Sequence, residues 1–211
     1  LSSRIIKLVN SPFYGVRQEI SSIDRATVLL GLNTVKNLAL AVSTEQFYNK
    51  NFSLFKTTGQ KIWHHGFVVG RLCEVIAKPA GEDEDSLYLA GLMHDMGKTV
   101  IVDFLVKEVS TIEDERNQLG TDHCAVGELV LTKWAVVKDI AEAVHNHHQL
   151  GKDIFSRILY YANQMHKNID SAEDLHDNIE DCAFAVGVPF EKLEELVMPV
   201  LESERIGNDT A

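Results

Sequence analysis

Nine histidines stand among the 211 residues, and their placement says more than their number. Imidazole and carboxylate are the donor types of borderline divalent metal ions. The most specific local feature is the adjacent pair His94-Asp95. Neighbours near a helix end splay about 100° apart, so an ion beside that end can take nitrogen from one and oxygen from the other. In the run His94-Asp95-Met96-Gly97-Lys98, Gly97 is expected to let the chain turn beside the ion. Lys98 either meets a phosphate as a point charge or stands solvated.

Four further stretches aim imidazoles at an interior. His65 lies on the apolar stripe Ile62, Val69, Leu72, Cys73 and Ile76 at helical spacing. His123 opens the stripe Val126, Gly127, Val130, Leu131 and Trp134; Val137, Ile140, Ala141 and Val144 lead to His147 and His148; Phe155, Leu159 and Ala162 lead to Asn163 and His166. A single inward imidazole is ordinarily a hydrogen-bonded core residue. Several unpaired polar groups, at about 1–3 kcal/mol each, imply convergence on an ion. His/carboxylate ligation without cysteine fits Fe, Mn, Ni or Zn rather than calcium. About six ligands would suit one ion or two, and such ions activate water toward a phosphoester. His64 points about 100° away from His65 and is expected outside the site. His145 and His166 are left open, and His176 is read as surface.

The elements that must position these residues read as helices throughout. Period-3.6 patterns dominate, and no stretch alternates as a half-buried strand does. The class is all-α. Ile5, Leu8 and Val9 end a first helix that Asn10-Ser11-Pro12 breaks, with a turn at Tyr14-Gly15. Ser21 or Ser22 caps a helix to Leu32, and Asn33 is expected to cap the next. Residues 49–53 mark the boundary between an N-terminal lobe, 1–52, and a second lobe, 53–211. Further helices are expected over 54–77, 86–95, 99–110, 122–134, 137–148, 154–168, 172–186 and 190–203, with Gly120, Gly151 and Gly187 as stops. The acidic run Glu82–Asp85 favours a helix N-terminus through the dipole. Trp63 and Trp134 are expected in the core, and Asp174–Asp181 on a solvated face.

Apolar residues make up 45% and charged residues 24% of the chain, ordinary for a globular protein. The net charge of −11 argues against a duplex nucleic acid surface and against an anionic membrane. No apolar run approaches the roughly 20 residues a bilayer span needs, and no secretory leader is read at the start. Cys73, Cys124 and Cys182 are far apart with no Cys-x-x-Cys. A thiolate zinc site or disulfide framework is therefore not expected, and a cytoplasmic location is. The chain opens on Leu1 inside an apolar-periodic segment, so an N-terminally shortened chain is expected.

These residues together resemble the HD superfamily of metal-dependent phosphohydrolases, and more closely its HDOD branch, the HD-related output domain of bacterial signalling proteins. Leu8-Val9-Asn10-Ser11-Pro12-Phe13-Tyr14-Gly15 resembles the branch's Asn-Ser-x-(Phe/Tyr)-Tyr-Gly segment. Ile20–Leu32, Trp63-His64-His65, Leu92–Lys98, Asp122–Gly127 and His147-His148 follow in family order. The resemblance implies a helical N-terminal lobe joined to an HD-like bundle. It implies His65, His94, Asp95, His123, His147 and His148 as metal ligands, with Asp95 and Lys98 as candidate catalytic groups. Two departures argue against turnover. The closing aspartate of the HD site is here Asn163, a weaker neutral ligand. The run His147-His148-Gln149-Leu150-Gly151 lacks the His-His-Glu and Gly-Tyr-Pro signature of the HD-GYP phosphodiesterases. The expectation is a regulatory output module, non-catalytic or weakly catalytic, meeting signalling proteins or a nucleotide second messenger. The alternative is a metal-dependent phosphohydrolase of nucleotides or cyclic dinucleotides.

Overall fold

In a computed structural model, which describes residues 1–14, 16 and 18–209, the described residues form twelve α-helices and no strand. They are α1 (Ser2–Val9), α2 (Ile23–Leu30), α3 (Leu32–Thr44), α4 (Gly59–Ala80), α5 (Glu84–Met93), α6 (Lys98–Ile101), α7 (Ile112–Leu119), α8 (His123–Lys133), α9 (Lys138–Asn146), α10 (Ile154–Lys167), α11 (Ala172–Val186) and α12 (Phe190–Asp209). Short 3-10 turns lie at Pro12–Tyr14, Glu45–Tyr48 and Ser53–Phe55. Gly15, half of the expected Tyr14-Gly15 turn, lies outside the described residues.

Side-chain caps set most helix starts. Ser22, Thr58, Asp83, Asp122, Asp153 and Ser171 each accept a hydrogen bond from a backbone N–H three residues on, each worth about 1 kcal/mol. Asp83, within the acidic run, thus starts α5. Asn33 is not a cap: α3 begins at Leu32, directly after Gly31, whose φ of 86° ends α2. One turn suffices there because glycine alone takes that φ without strain.

The expected helix over 99–110 is replaced by short α6, a loop, and an unforeseen α7. The Gln118 side chain accepts from the backbone N–H groups of Val106 and Lys107, and Val109 donates its own to the Leu54 carbonyl. Those N–H groups are then lost to a helix. A capping box between Thr111 and Asp114 restarts it, reciprocally satisfying two N-terminal donors.

One hydrophobic core runs from Ile5 on α1 to Leu201 on α12. Its axis is α4, which packs against α5, α10 and α12. The α4–α5 crossing is close: a Cβ on Gly91 would lie 2.6 Å from the Gly70 Cα, so neither position has room for a side chain. Trp63 is buried as expected. Trp134 is not: it is 48% exposed, lying against Phe47 at 5.4 Å. It follows α8 as the C-cap, outside the stripe that periodicity assigned to it. Among the described residues no helix is long and apolar enough to cross a membrane.

Candidate metal centre

Five segments deliver the candidate residues to one place. The close α4–α5 crossing sets the His65 ring 4.9 Å from that of His94, the residue that ends α5. Asp95 follows in the turn before α6. Asp122 caps α8 and so fixes His123 at its first position. His147 ends α9, with His148 beside it, ring centroids 4.2 Å apart. Asn163 comes from α10.

The expected turn at Gly97 has another cause. Its φ of −59° is helical, so no special backbone freedom is used. A Cβ there would lie 1.9 Å from the His123 carbonyl oxygen. Gly97 is required because α8 docks its first residue directly onto the His94–Lys98 turn.

Asp95, 4% exposed, stands at the middle. Its Oδ2 accepts from Lys98 Nζ at 2.8 Å and lies 3.6 Å from His94 Nε2. Its Oδ1 faces His123 Nε2 at 3.5 Å and His147 Nε2 at 3.8 Å. Burial favours the protonated acid, but the Lys98 ammonium at 2.8 Å outweighs it and holds the carboxyl well below the usual range.

The orientation of each imidazole is set from behind. His94 Nδ1 donates to the Gly91 carbonyl at 2.7 Å, and His147 Nδ1 to the Val144 carbonyl at 2.6 Å. His123 Nδ1 donates to the Glu115 carboxylate at 2.7 Å, which also accepts the His123 backbone N–H at 2.8 Å. With Nδ1 carrying the proton, each Nε2 turns an unshared pair toward Asp95. His147 Nε2 is buried with no hydrogen-bond partner, and the 3.5–3.8 Å separations to Asp95 are too long for hydrogen bonds. They suit donor atoms that would each sit about 2.0–2.2 Å from a shared ion. Burial lowers the His94 pKa to about 4, and lowers that of His147, where His94 and His123 add to the effect. His148 is lowered to about 3, first by burial and then by Lys167. Neutral imidazole, the ligating form, is thus favoured.

Two donor groups result: His65, His94 and Asp95 on one side, and His123, His147 and His148 on the other, with donor atoms within 4.8 Å of one another in each. Cys124 joins the second group, which composition alone did not anticipate. Burial keeps its thiol well above the ordinary value. The residues fit a divalent metal ion: the His147 Nε2 is buried without a hydrogen-bond partner, the His123 Nε2 meets only another imidazole nitrogen, His148 Nε2 at 3.1 Å, and three Nδ1 atoms are already taken by fixed oxygens.

The third side is different. His65 faces His166 Nδ1 to Nδ1 at 2.6 Å and Asn163 Oδ1 at 3.1 Å through Nε2. His166, left open from sequence, therefore belongs to the site. It shares a face of α10 with Asn163 and Lys167 at i, i+3 and i+4, a spacing legible in the sequence. His64 lies outside, as expected, bound to Glu204 at 2.8 Å. His145 is on the surface with Glu128. Glu115, 3% exposed, had no sequence signal, since a buried carboxylate looks like any helical glutamate.

Two cavities open from the centre. The smaller, about 270 Å³, is bounded by His65, His94, Asp95 and Asn163; the larger, about 690 Å³, by Phe55, Arg116, His123 and Gln149. Lys98, Lys167 and His148 line both. Lys98 is therefore neither simply solvated nor free, but ion-paired to Asp95 at the shared wall.

Comparison with known proteins bears on the family and the fold. The model of the HDOD domain matches residues 1–150. Among solved structures, a candidate phosphohydrolase from Shewanella amazonensis superposes with a TM-score of 0.73 at 20% identity, covering 100% of this chain and 82% of that one. An HDOD domain protein of unknown function from Geobacter sulfurreducens gives 0.65 at 19% identity, covering 96% and 81%. The MmoQ response regulator from Methylococcus capsulatus gives 0.52 at 21% identity, covering 93% and 82%. Among curated relatives, a Ribonuclease Y from Mycoplasma mycoides is 25% identical over 193 residues, 90% of this chain and 38% of the relative. An uncharacterised Treponema pallidum protein is 24% identical over 166 residues, 71% and 31%. The chain spans about a third of the length of the curated relatives it matches. With the family model matched over well more than half its length, the chain belongs to the HDOD family.

Proposed function

We propose that the chain is the regulatory output module of a bacterial cytoplasmic signalling protein, built around a centre for one or two divalent transition-metal ions. Residues 1–52 form its N-terminal lobe and 53–211 its HD-like lobe. His65, His94, Asp95, His123, His147 and His148 are the proposed ligands, with Asn163 as a weak one. The observation that carries the reading is the trio His94, His123 and His147. Each has Nδ1 tied to a fixed oxygen, and each presents Nε2 to the Asp95 carboxylate. Outer partners of this kind fix ligand orientation and are worth about 10–100-fold in metal affinity.

Elemental analysis of untagged protein purified without chelator tests it. Stoichiometric Fe, Mn, Ni or Zn is expected, absent from His94→Ala/Asp95→Ala protein. A wild type without metal, and unable to take it up, would overturn the reading.

One observation favours a second reading, a phosphohydrolase: the 690 Å³ cavity places Lys98, Lys167 and Arg116 beside the His123 and His148 rings. Cations there would hold phosphoryl oxygens. A bound divalent ion would supply Lewis-acid polarisation of the phosphoester. Lys98 would then leave Asp95 for the phosphate, and the ring of Phe55 at the cavity wall could carry a base. A nucleotide second messenger suits the cavity, and relatives named ribonucleases act, by that name, on a phosphodiester. Against turnover stands Asn163, which brings no charge. Nucleotides and cyclic dinucleotides incubated with Mn, Fe or Ni decide between the readings. The output module predicts binding without turnover above the His94→Ala/Asp95→Ala control.

A further inference from the structure

All three cysteines are buried, but one has different neighbours. Cys73 and Cys182, each without exposed surface, belong to the apolar core. Cys124 is 4% exposed and is not among the residues of that core. It stands with imidazoles instead: one donor atom from each of His123, Cys124, His147 and His148 lies within 4.8 Å of the others. A buried thiol ordinarily packs as a small apolar group. No Cys-x-x-Cys marks this one, because three of the four donors are histidines.

Local structure holds the sulfur in place. One oxygen of Asp122 caps α8 by accepting the Ala125 backbone N–H at 2.9 Å, and the other accepts from Arg116 at 2.7 Å. Cys124 is thereby fixed as the second residue of α8, directly after His123. The neighbouring imidazoles are short of partners. His147 has no exposed surface; its Nδ1 is tied to the Val144 carbonyl, and its Nε2 has no hydrogen-bond partner. His123 Nε2 and His148 Nε2 meet only each other, at 3.1 Å. Three imidazoles and a thiol thus bound one small space.

We propose that Cys124 is a direct metal ligand on the His123 side, and that its sulfur gives that side a preference for zinc that the His65 side lacks. This rests on the metal-centre reading above. Imidazole alone ranks zinc above manganese, and a soft thiolate widens the gap, whereas carboxylate and carbonyl oxygens suit manganese. The His65 side offers two imidazoles, Asp95 and the Asn163 oxygen, with no sulfur. A dication deprotonates the thiol, and the proton leaves to solvent as the sulfur–metal bond forms. The His123 side then has four donors of its own. The Asp95 Oδ1, 3.5 Å from His123 Nε2, supplies a fifth. A zinc ion so surrounded has no position left for water, as in structural sites, whereas catalytic sites keep one open. For this half of the centre, the output module is favoured over the phosphohydrolase.

Zinc-edge X-ray absorption of wild-type protein, stripped of metal and reloaded with one equivalent of zinc, reads the donor set directly. One sulfur at about 2.3 Å is expected among nitrogen and oxygen donors at about 2.0–2.2 Å. A shell without sulfur overturns the proposal whether or not any variant folds. The second arm is Cys124→Ser, loaded with Co(II). The wild type should show sulfur-to-cobalt charge-transfer absorption in the near ultraviolet, and the variant should lose it while keeping the visible cobalt bands. Zinc affinity should fall about 100-fold, the top of the range for outer partners, since a direct ligand is lost; Mn(II) binding on the His65 side should hold. A charge-transfer band that survives in the variant assigns the sulfur to another cysteine and overturns the proposal. A wild type that takes up neither zinc nor Co(II) defeats the metal-centre reading and this proposal together, while uptake through nitrogen and oxygen alone defeats this proposal only.

Discussion

On one side of Asp95, His123 and His147 are held by oxygens that can only accept: a Glu115 carboxylate and the Val144 carbonyl. On the other, His65 is held by an imidazole and an amide, each able to donate or accept. The first arrangement admits one tautomer regardless of what happens elsewhere. The second admits two, and groups farther away must choose. The same count of imidazoles therefore gives one side that is rigidly pre-set and one held by two residues of α10.

Removing what the two sides share should have the largest effect. Asp95→Ala takes away the only carboxylate proposed as a ligand and leaves Lys98 without its 2.8 Å partner. Metal uptake is expected to vanish from both sides together, measured as metal-to-protein ratio after dialysis against Mn(II) or Zn(II). Retention of one ion would show that one side assembles without Asp95.

Acid should unmake the metal-free centre next. His94 titrates near pH 4 when folded, against 6.5 ordinarily, because burial penalises the charged ring. His65 and His147 are lowered as well, first by burial and then by neighbouring imidazoles. The unfolded chain thus binds more protons than the folded one below about pH 6.5. Stability is complete above that pH and is lost as pH falls toward 4, by at most about 1.4 kcal/mol per pH unit for each ring. Asp95, whose folded pKa is depressed, adds its loss only at still lower pH. Thermal unfolding from pH 7.5 to 4.5 measures the slope, and a flat profile would mean that these rings are not buried neutral.

Gly97→Ala tests the dock that carries His123. The new Cβ would meet the His123 carbonyl oxygen at 1.9 Å, so α8 must move. A loss of about 3 kcal/mol is expected, roughly 6–12 °C in melting temperature for a chain of this size. Metal affinity on the His123 side should fall with it, and the His65 side should hold.

What could be read from sequence divides along the same line. The all-α class was legible, and so was the inward placement of His65, His123, His147 and His148, because each sits on an apolar stripe or ends one; His94 and Asp95 were marked out by their adjacency instead. Stripes report burial, and a polar residue in a stripe reports a buried polar group. Glu115 and Glu204 were not legible, since they lie in charged surroundings where burial leaves no periodic mark. The loop after α6 was missed for a related reason: Gln118 takes its N–H groups from twelve and eleven residues away, beyond any local pattern. The role of Gly97 was misread because a glycine needed for space looks identical in sequence to one needed for a turn.

Glu115→Gln separates the sides directly. The neutral amide oxygen accepts more weakly than the charged carboxylate oxygen Oε2, which takes both His123 Nδ1–H and the His123 backbone N–H, because hydrogen bonds to an ionised acceptor are the stronger. Affinity on the His123 side should drop about 10-fold, within the range for outer-shell partners. The tautomers of His65 and His166 should be unmoved, since these rings meet each other and Asn163 and not α7.

The smallest expected change is a gain, and it bears on the weaker side. Asn163 lies 3.1 Å from His65 Nε2 and is completely buried, so position 163 borders the point that a His65-bound ion would occupy. Asn163→Asp keeps the shape and adds a charge that a dication favours, offset in part by the cost of burying a carboxylate. In the metal-free protein the new carboxylate would accept from His65 Nε2–H where the Asn163 oxygen now stands at 3.1 Å. A metal ion would then have to displace that proton, so binding on the His65 side should become steeper in pH while strengthening several-fold at neutral pH, about tenfold at most. Isothermal titration with Mn(II) at pH 6.5 and 8 reads both effects. If affinity and pH slope both stay as in the wild type, position 163 does not touch the ion, and the two sides of Asp95 would reduce to the one already fixed by Glu115 and Val144.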